Sequence, residues 1–148
     1  MSTANYEKHL CPVAQALVDL GDQWTLLIVR DALSQKQIRF NELQESLGIS
    51  RNLLTRRLIQ LCEAGLLTRV AVEGSKRMAY EATEKCRDLR LVILAMAQWG
   101  EKWRPDPRLT RVETTEKTTG KPVRLTFARV EDGAPVDLSG VRVTRRRP

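Results

Sequence analysis

The chain has 148 residues, 42% of them hydrophobic and 29% charged, which describes one globular domain, or one with an appendage, long enough to bury a core. A formal charge of +7 calls for a polyanionic partner, either nucleic acid or an anionic membrane surface. One histidine and three widely spaced cysteines provide neither a metal signature nor a disulfide framework, and without a nucleophile elbow, phosphate loop or paired-carboxylate motif the sequence argues against an enzyme or a bound cofactor.

Residues 1–10 read as an N-terminal arm, and "MSTANYEKHLCPVAQ" lacks a charged-then-apolar signal pattern. No apolar run approaches the roughly 20 residues of a membrane span, so a cytoplasmic protein with no membrane partner is expected. Cys11-Pro12 opens the first helical pattern, with Val13, Leu17 and Leu20 along one side. Proline suits the first helical position, which places Cys11 near the N-cap. Gly21 ends that helix. Asp22 is expected to cap a second, in which Trp24, Leu27, Ile28 and Leu33 recur at helical spacing. "RFNELQESLG" predicts a short third helix, with Asn41 and Gln44 at capping-box spacing and Gly48 as its stop. Ser50 can cap a fourth, running to about Gly65. A short helix and a longer one joined by a tight turn suggest a helix-turn-helix.

On a wheel of about 100° per residue, Leu54, Leu58 and Leu61 of the fourth helix form a buried stripe. Asn52 and Arg56 lie nearly opposite, with Arg51 and Thr55 on one flank and Arg57 on the other. These side chains read base edges: Arg forks onto guanine, Asn pairs with adenine, and Thr offers a hydroxyl and a methyl. A recognition helix uses its N-terminal half for this, beside phosphates held by the helix end and by nearby bases. Arg39, at the start of the third helix, is a candidate phosphate clamp. Leu53 and Ile59 fit neither face.

After Gly65 the sequence changes character. "LLTRVAV" and "AYEA" read as strands around the basic turn "EGSKRM", so Lys76 and Arg77 sit at the tip of a wing. Thr83 is expected to cap a long helix through about Trp103, with Leu89, Val92, Ile93, Met96, Trp99 and Trp103 on one stripe. A domain this small has little core to offer such a stripe, so part of it is expected to meet a second subunit. "RPDPRL" marks a boundary near residue 105. The remainder, with net charge +4, alternates like a β-hairpin around an Asp-Gly turn and ends in the basic "RRRP".

Three segments, "CPVAQALVDLGDQWTLLIVRDAL", "RFNELQESLGISRNLLTRRLIQLCEAGLL" and "MAQWGEKW", resemble the HxlR family of bacterial transcriptional regulators over about residues 10–104. The resemblance implies a MarR-like winged helix that binds operator DNA as a homodimer. The fourth helix and wing would contact DNA, and the first and last helices would dimerise through Val13, Leu17, Val92, Met96, Trp99 and Trp103. Some members of the family sense oxidants or electrophiles through a cysteine in the N-terminal Cys-Pro element. At a helix start, unpaired amides favour a thiolate, so Cys11 is the candidate sensor; the alternative is a cysteine that caps and packs.

The expected fold class is therefore α+β and mostly helical: a winged helix-turn-helix over residues 11–104 with flanking dimerisation helices and a basic, hairpin-like extension over residues 105–148. The expected partners are double-stranded operator DNA, a second copy of the chain, and a small-molecule or oxidant effector. The alternatives are a winged-helix module for an acidic protein partner, and a regulator with a ligand pocket between its first and last helices.

Overall fold

A computed structural model describes residues 8–72, 74 and 77–144. Two compact units divide the chain between Ile93 and Leu94. The first contains α1 (Pro12–Leu20), α2 (Thr25–Ser34), β1 (Ile38–Arg39), α3 (Phe40–Leu47), α4 (Arg51–Glu63), β2 (Leu67–Ala71), β3 (Met78–Ala82) and α5 (Glu84–Asp88). Helix α6 (Arg90–Trp103) crosses the division, and β4 (Phe127–Ala128) and β5 (Pro135–Val136) belong to the second unit. The fold is mixed α+β and dominated by helices, as expected.

Local chemistry sets the element ends. Pro12 starts α1 with Cys11 at the N-cap, and Gly21 closes it with its amide on the Leu17 carbonyl at 2.8 Å. Asp22 does not occupy the N-cap of α2, which is Trp24. It makes a turn ahead of the helix, its carboxylate accepting from the Trp24 amide at 2.9 Å. Helix α3 starts two residues earlier than its Asn41–Gln44 spacing suggests. Arg39 is the N-cap, and Glu42 Oε2 accepts from its backbone amide at 2.6 Å. Gly48 then takes the left-handed conformation, φ +62°, which turns the chain into α4. Ser50 Oγ accepts from the Leu53 amide at 3.3 Å and caps α4.

The hairpin β2–β3 forms where the alternating segments predict it, in the register Arg69↔Tyr80 and Leu67↔Ala82. It gains a third strand, β1, in the order β1-β3-β2, with Ile38 opposite Tyr80. Two residues are too short to show a period, so β1 escapes a reading by alternation. The expected long last helix is broken. Thr83 caps only α5, accepting from the Cys86 amide while its hydroxyl lies 2.8 Å from the Gly65 carbonyl, and Leu89 interrupts before α6 begins.

One core unites these elements. Ile28, Val29, Leu43, Leu54, Leu58, Leu61, Leu66 and Cys86 are buried together, and Ile49 seals the turn between α3 and α4. Leu53 packs at its edge, while Ile59 is exposed.

In the second unit the expected Asp-Gly hairpin is present but short. Phe127 pairs with Val136 and Ala128 with Pro135, around a turn in which Gly133 has φ +71°. A smaller turn brings Thr115 opposite Pro122. The segment "VDLSG" is largely a 3-10 turn over Leu138–Gly140 instead of a strand. The basic end at 145–148 lies outside the described residues.

Because Leu58 is fully enclosed, Leu58→Ala should lower unfolding free energy by about 2–5 kcal/mol, and Ile59→Ala, on the exposed side one residue later, by under about 1 kcal/mol. Urea unfolding followed by circular dichroism measures both; equal losses would mean that α4 is rotated from the orientation described.

Candidate nucleic-acid interface

The buried stripe of α4 decides what its other side presents. With Leu54, Leu58 and Leu61 inside, Arg51, Asn52, Thr55 and Arg56 all stand exposed on the first turns of the helix. Ser50 at the cap is also exposed, with its oxygen turned to the helix amides. Thr55 Oγ1 donates to the Arg51 carbonyl at 2.9 Å, which leaves its methyl and an oxygen lone pair facing outward. The Arg51 guanidinium lies 5.5 Å from the centre of the Phe40 ring, a cation–π distance that restrains a long side chain.

Arg57 departs from this face. Its Nη2 lies 2.5 Å from Asp22 Oδ2, its Nη1 donates to Gln60 at 2.9 Å, and it is half-buried. Its Nε is buried with no hydrogen-bond partner among the described residues. This arginine braces the turn before α2 against the middle of α4. The wheel placed it correctly at the flank, but Asp22 comes from another element and its approach was not visible in the local sequence.

Beside the α4 face lies a groove of about 590 Å³, lined by Arg39, Arg51, Arg69 and Arg77 together with Phe40 and Tyr80. Five elements meet there, β1, α3, α4, β2 and β3. Arg39 comes from β1, Arg69 from β2, and Arg77 from the residue preceding β3. Glu42 also reaches the groove, but its carboxylate is engaged by the Arg39 amide. Burial raises the Tyr80 phenol above its ordinary pKa, an effect the nearby Arg69 guanidinium opposes. Lys76, the other expected wing residue, lies outside the described residues. Sequence reading missed Arg69. Its signal was an arginine two positions from buried Leu67 in a strand, where alternation would place a second apolar side chain.

The remaining candidates lie elsewhere. Cys11 is half-buried at the N-cap position of α1, where the Cys-Pro pair places it, without a side-chain capping hydrogen bond; its carbonyl accepts from the Gln15 amide at 3.0 Å. Burial raises the thiol pKa of both Cys62 and Cys86, with the Arg69 and Arg87 guanidinium groups opposing. No disulfide joins the three cysteines. Of the expected dimerisation residues, Val13, Val92, Met96, Trp99 and Trp103 are exposed and Leu17 is half-buried. Among the described residues no cluster of His, Cys, Asp and Glu could hold a metal ion, and no helix is long and apolar enough to cross a membrane.

Comparison with known proteins bears on the family and the fold. The HxlR-like helix-turn-helix family model matches residues 19–107, so Cys11 lies ahead of the matched segment. An HTH-type transcriptional regulator of Mycobacterium tuberculosis is 38% identical over 110 residues, covering 74% of this chain and 69% of its own. Another, from Synechocystis, is 34% identical over 97 residues, covering 64% of this chain and 71% of its own. Among solved structures, PA1607 is 38% identical with a TM-score of 0.79, covering 95% of this chain and 99% of its own. The redox regulator HypR in its reduced form is 28% identical with a TM-score of 0.59, covering 64% of this chain and 95% of its own. The chain belongs to the HxlR-like helix-turn-helix family and is a transcriptional regulator of the helix-turn-helix type, not an enzyme.

Proposed function

We propose that this regulator binds a pseudo-palindromic operator as a homodimer, with α4 in the major groove and the arginine-lined groove beside it on the phosphate backbone. One observation carries the reading: the leucine stripe of α4 turns Arg51, Asn52, Thr55 and Arg56 outward together, a set of hydrogen-bonding groups suited to base edges. Arg39, Arg69 and Arg77 supply positive charge next to that face, which positions a duplex without reading its sequence. Dimerisation is supported by the apolar exposure of Val13 on α1 and of Val92, Met96, Trp99 and Trp103 on α6. Two copies would place two reading helices on successive turns of one face of the DNA.

Operator fragments selected from genomic DNA by the purified protein supply the probe. Arg51→Ala and Asn52→Ala should each weaken binding by about 1–3 kcal/mol, measured by fluorescence anisotropy, with melting temperature almost unchanged. Arg69→Ala should weaken selected and unrelated DNA alike and reduce the slope of log affinity against log salt by about 1. A protein that binds every duplex equally, with no cost for a changed base pair, would instead be using the basic face for another acidic partner.

A redox response through Cys11 is a second reading, favoured by the cysteines' placement and by likeness. Cys62 and Cys86 have thiols raised by burial, whereas Cys11 is at a helix start outside the core. HypR is solved in reduced and oxidized forms, and YodB from B. subtilis in reduced and quinone-bound forms, at 27–29% identity to this chain. Cys11 should therefore alkylate faster than Cys62 and Cys86 at neutral pH. Mild oxidant or quinone should change operator affinity in the wild type and leave Cys11→Ser unchanged. An equal response in the serine variant would make Cys11 a structural residue only.

A further inference from the structure

The second unit is ordered by its backbone and yet covers almost nothing. Arg108 folds back on Asp106, with its Nη2 at 2.6 Å, and the Val112 amide donates to Glu101 Oε1 at 2.8 Å. The Glu116 amide meets the Lys121 carbonyl at 2.9 Å, the Val123 amide the Thr114 carbonyl at 2.8 Å, and the Arg129 amide the Ala134 carbonyl at 2.8 Å. These bonds define successive turns, but no described residue from Leu94 to Thr144 is buried. A two-stranded hairpin with two residues per strand is not stable by itself in water, so something must cover it.

The uncovered surface has a pattern. Val123, Leu125 and Phe127 alternate with Arg124 and Thr126, the period that puts three apolar side chains on one face of an extended segment. They are 51%, 39% and 53% exposed. Met96, Trp99 and Trp103 of α6, in the same unit, are 51%, 61% and 60% exposed. Among the described residues of this unit, eleven large apolar side chains stand at least partly in water. Trp99, Trp103 and Phe127, at about 150–250 Å² each and more than half-exposed, alone leave on the order of 300 Å² of apolar surface, to which the aliphatic side chains add. A stable association needs about 800 Å² from each partner, and a monomer seldom exposes an apolar patch of more than a few hundred.

We infer that residues 105–144 form an inter-subunit arm, which closes its Val123–Leu125–Phe127 face, together with the tryptophans of α6, against a second copy of this chain. The inference rests on the homodimer reading above and extends it past the family-matched segment, which ends at residue 107. A second copy suits this surface better than DNA does, because the face is aliphatic and aromatic, with the basic Arg124 at an alternate position. Three exposed aromatic rings with aliphatic neighbours are the residue types that anchor a protein contact. The face also adjoins in sequence the α6 stripe assigned to the same contact, and the short β4–β5 sheet has no further strand on either edge among the described residues.

The test uses the full chain. Leu125→Glu combined with Phe127→Glu should raise the dimer dissociation constant at least about tenfold in sedimentation velocity. The melting transition of the winged-helix unit should be retained, and Met96→Glu on α6 serves as the comparison. In a second variant, Phe127 is replaced by the photocrosslinker p-benzoylphenylalanine, which leaves the apolar face intact. Irradiation should yield covalent dimers. Weakened association with intermolecular crosslinks establishes the arm. If Met96→Glu dissociates the protein while the double variant remains a tight dimer and the crosslinks stay within one chain, the arm is overturned and the homodimer survives. A wild-type monomer at micromolar concentration overturns both, while operator binding by that monomer would leave the DNA-reading face standing.

Discussion

The burial of one side of α4 is the constraint on which the rest depends. Leu54, Leu58 and Leu61 enter the core with Ile28, Leu43 and Leu66, and truncating any one of such side chains costs several times what a surface contact is worth. The helix therefore cannot rotate without opening the core. Its polar side is fixed in direction by apolar packing alone, before any partner arrives. Ser50 and Gly48 fix where the helix begins, so the same residues always occupy its first turn. A surface built this way loses little backbone entropy in any contact it makes, because the helix beneath it is already held by the core.

The arginines around that surface fall into distinct environments. Arg57 is committed to Asp22 and Gln60, and helps hold α2 to α4. Arg51 rests over Phe40 and keeps its guanidinium edge available. Arg39 and Arg69 converge on one groove from different strands, with Arg69 close enough to Tyr80 to oppose the rise in its pKa. Composition alone cannot separate these roles. The net charge announces a polyanion, but the position of each acid and ring decides which guanidinium is left for it.

What the sequence disclosed follows the range of the interactions involved. The stripe of α4, its serine cap, the glycine stop of α3 and the two wing strands are written in neighbouring residues, and each forms where its local pattern places it. Boundaries set by tertiary contacts were hidden. Strand β1 exists because β3 offers it an edge, and Leu89 interrupts the last helix without a glycine or proline to announce it. The Arg57–Asp22 pair joins residues 35 positions apart in the chain, and the place of Arg69 beside Tyr80 depends on hairpin register. The outward face of α4 was thus legible, while the groove beside it required five elements to be assembled.

Helix α1 is held more lightly, with only Leu20 packed at the edge of the core. None of its side chains is buried, and its C-terminal end is tied ionically: Asp19 to Lys85 at 2.8 Å, and Asp22, just beyond it, to Arg57 at 2.5 Å. Lys85 also donates to the Ala64 carbonyl at the end of α4, again at 2.8 Å. Exposed ion pairs such as that of Lys85 contribute roughly 0–1 kcal/mol and weaken with salt, far less than one enclosed leucine contributes. The chain thus combines a helix locked by its core with a neighbour attached by the partly buried Leu20 and by charges. Apolar burial of the exposed Val13 would outweigh such ties in setting the tilt of α1, while the leucines keep the polar face of α4 where the core put it.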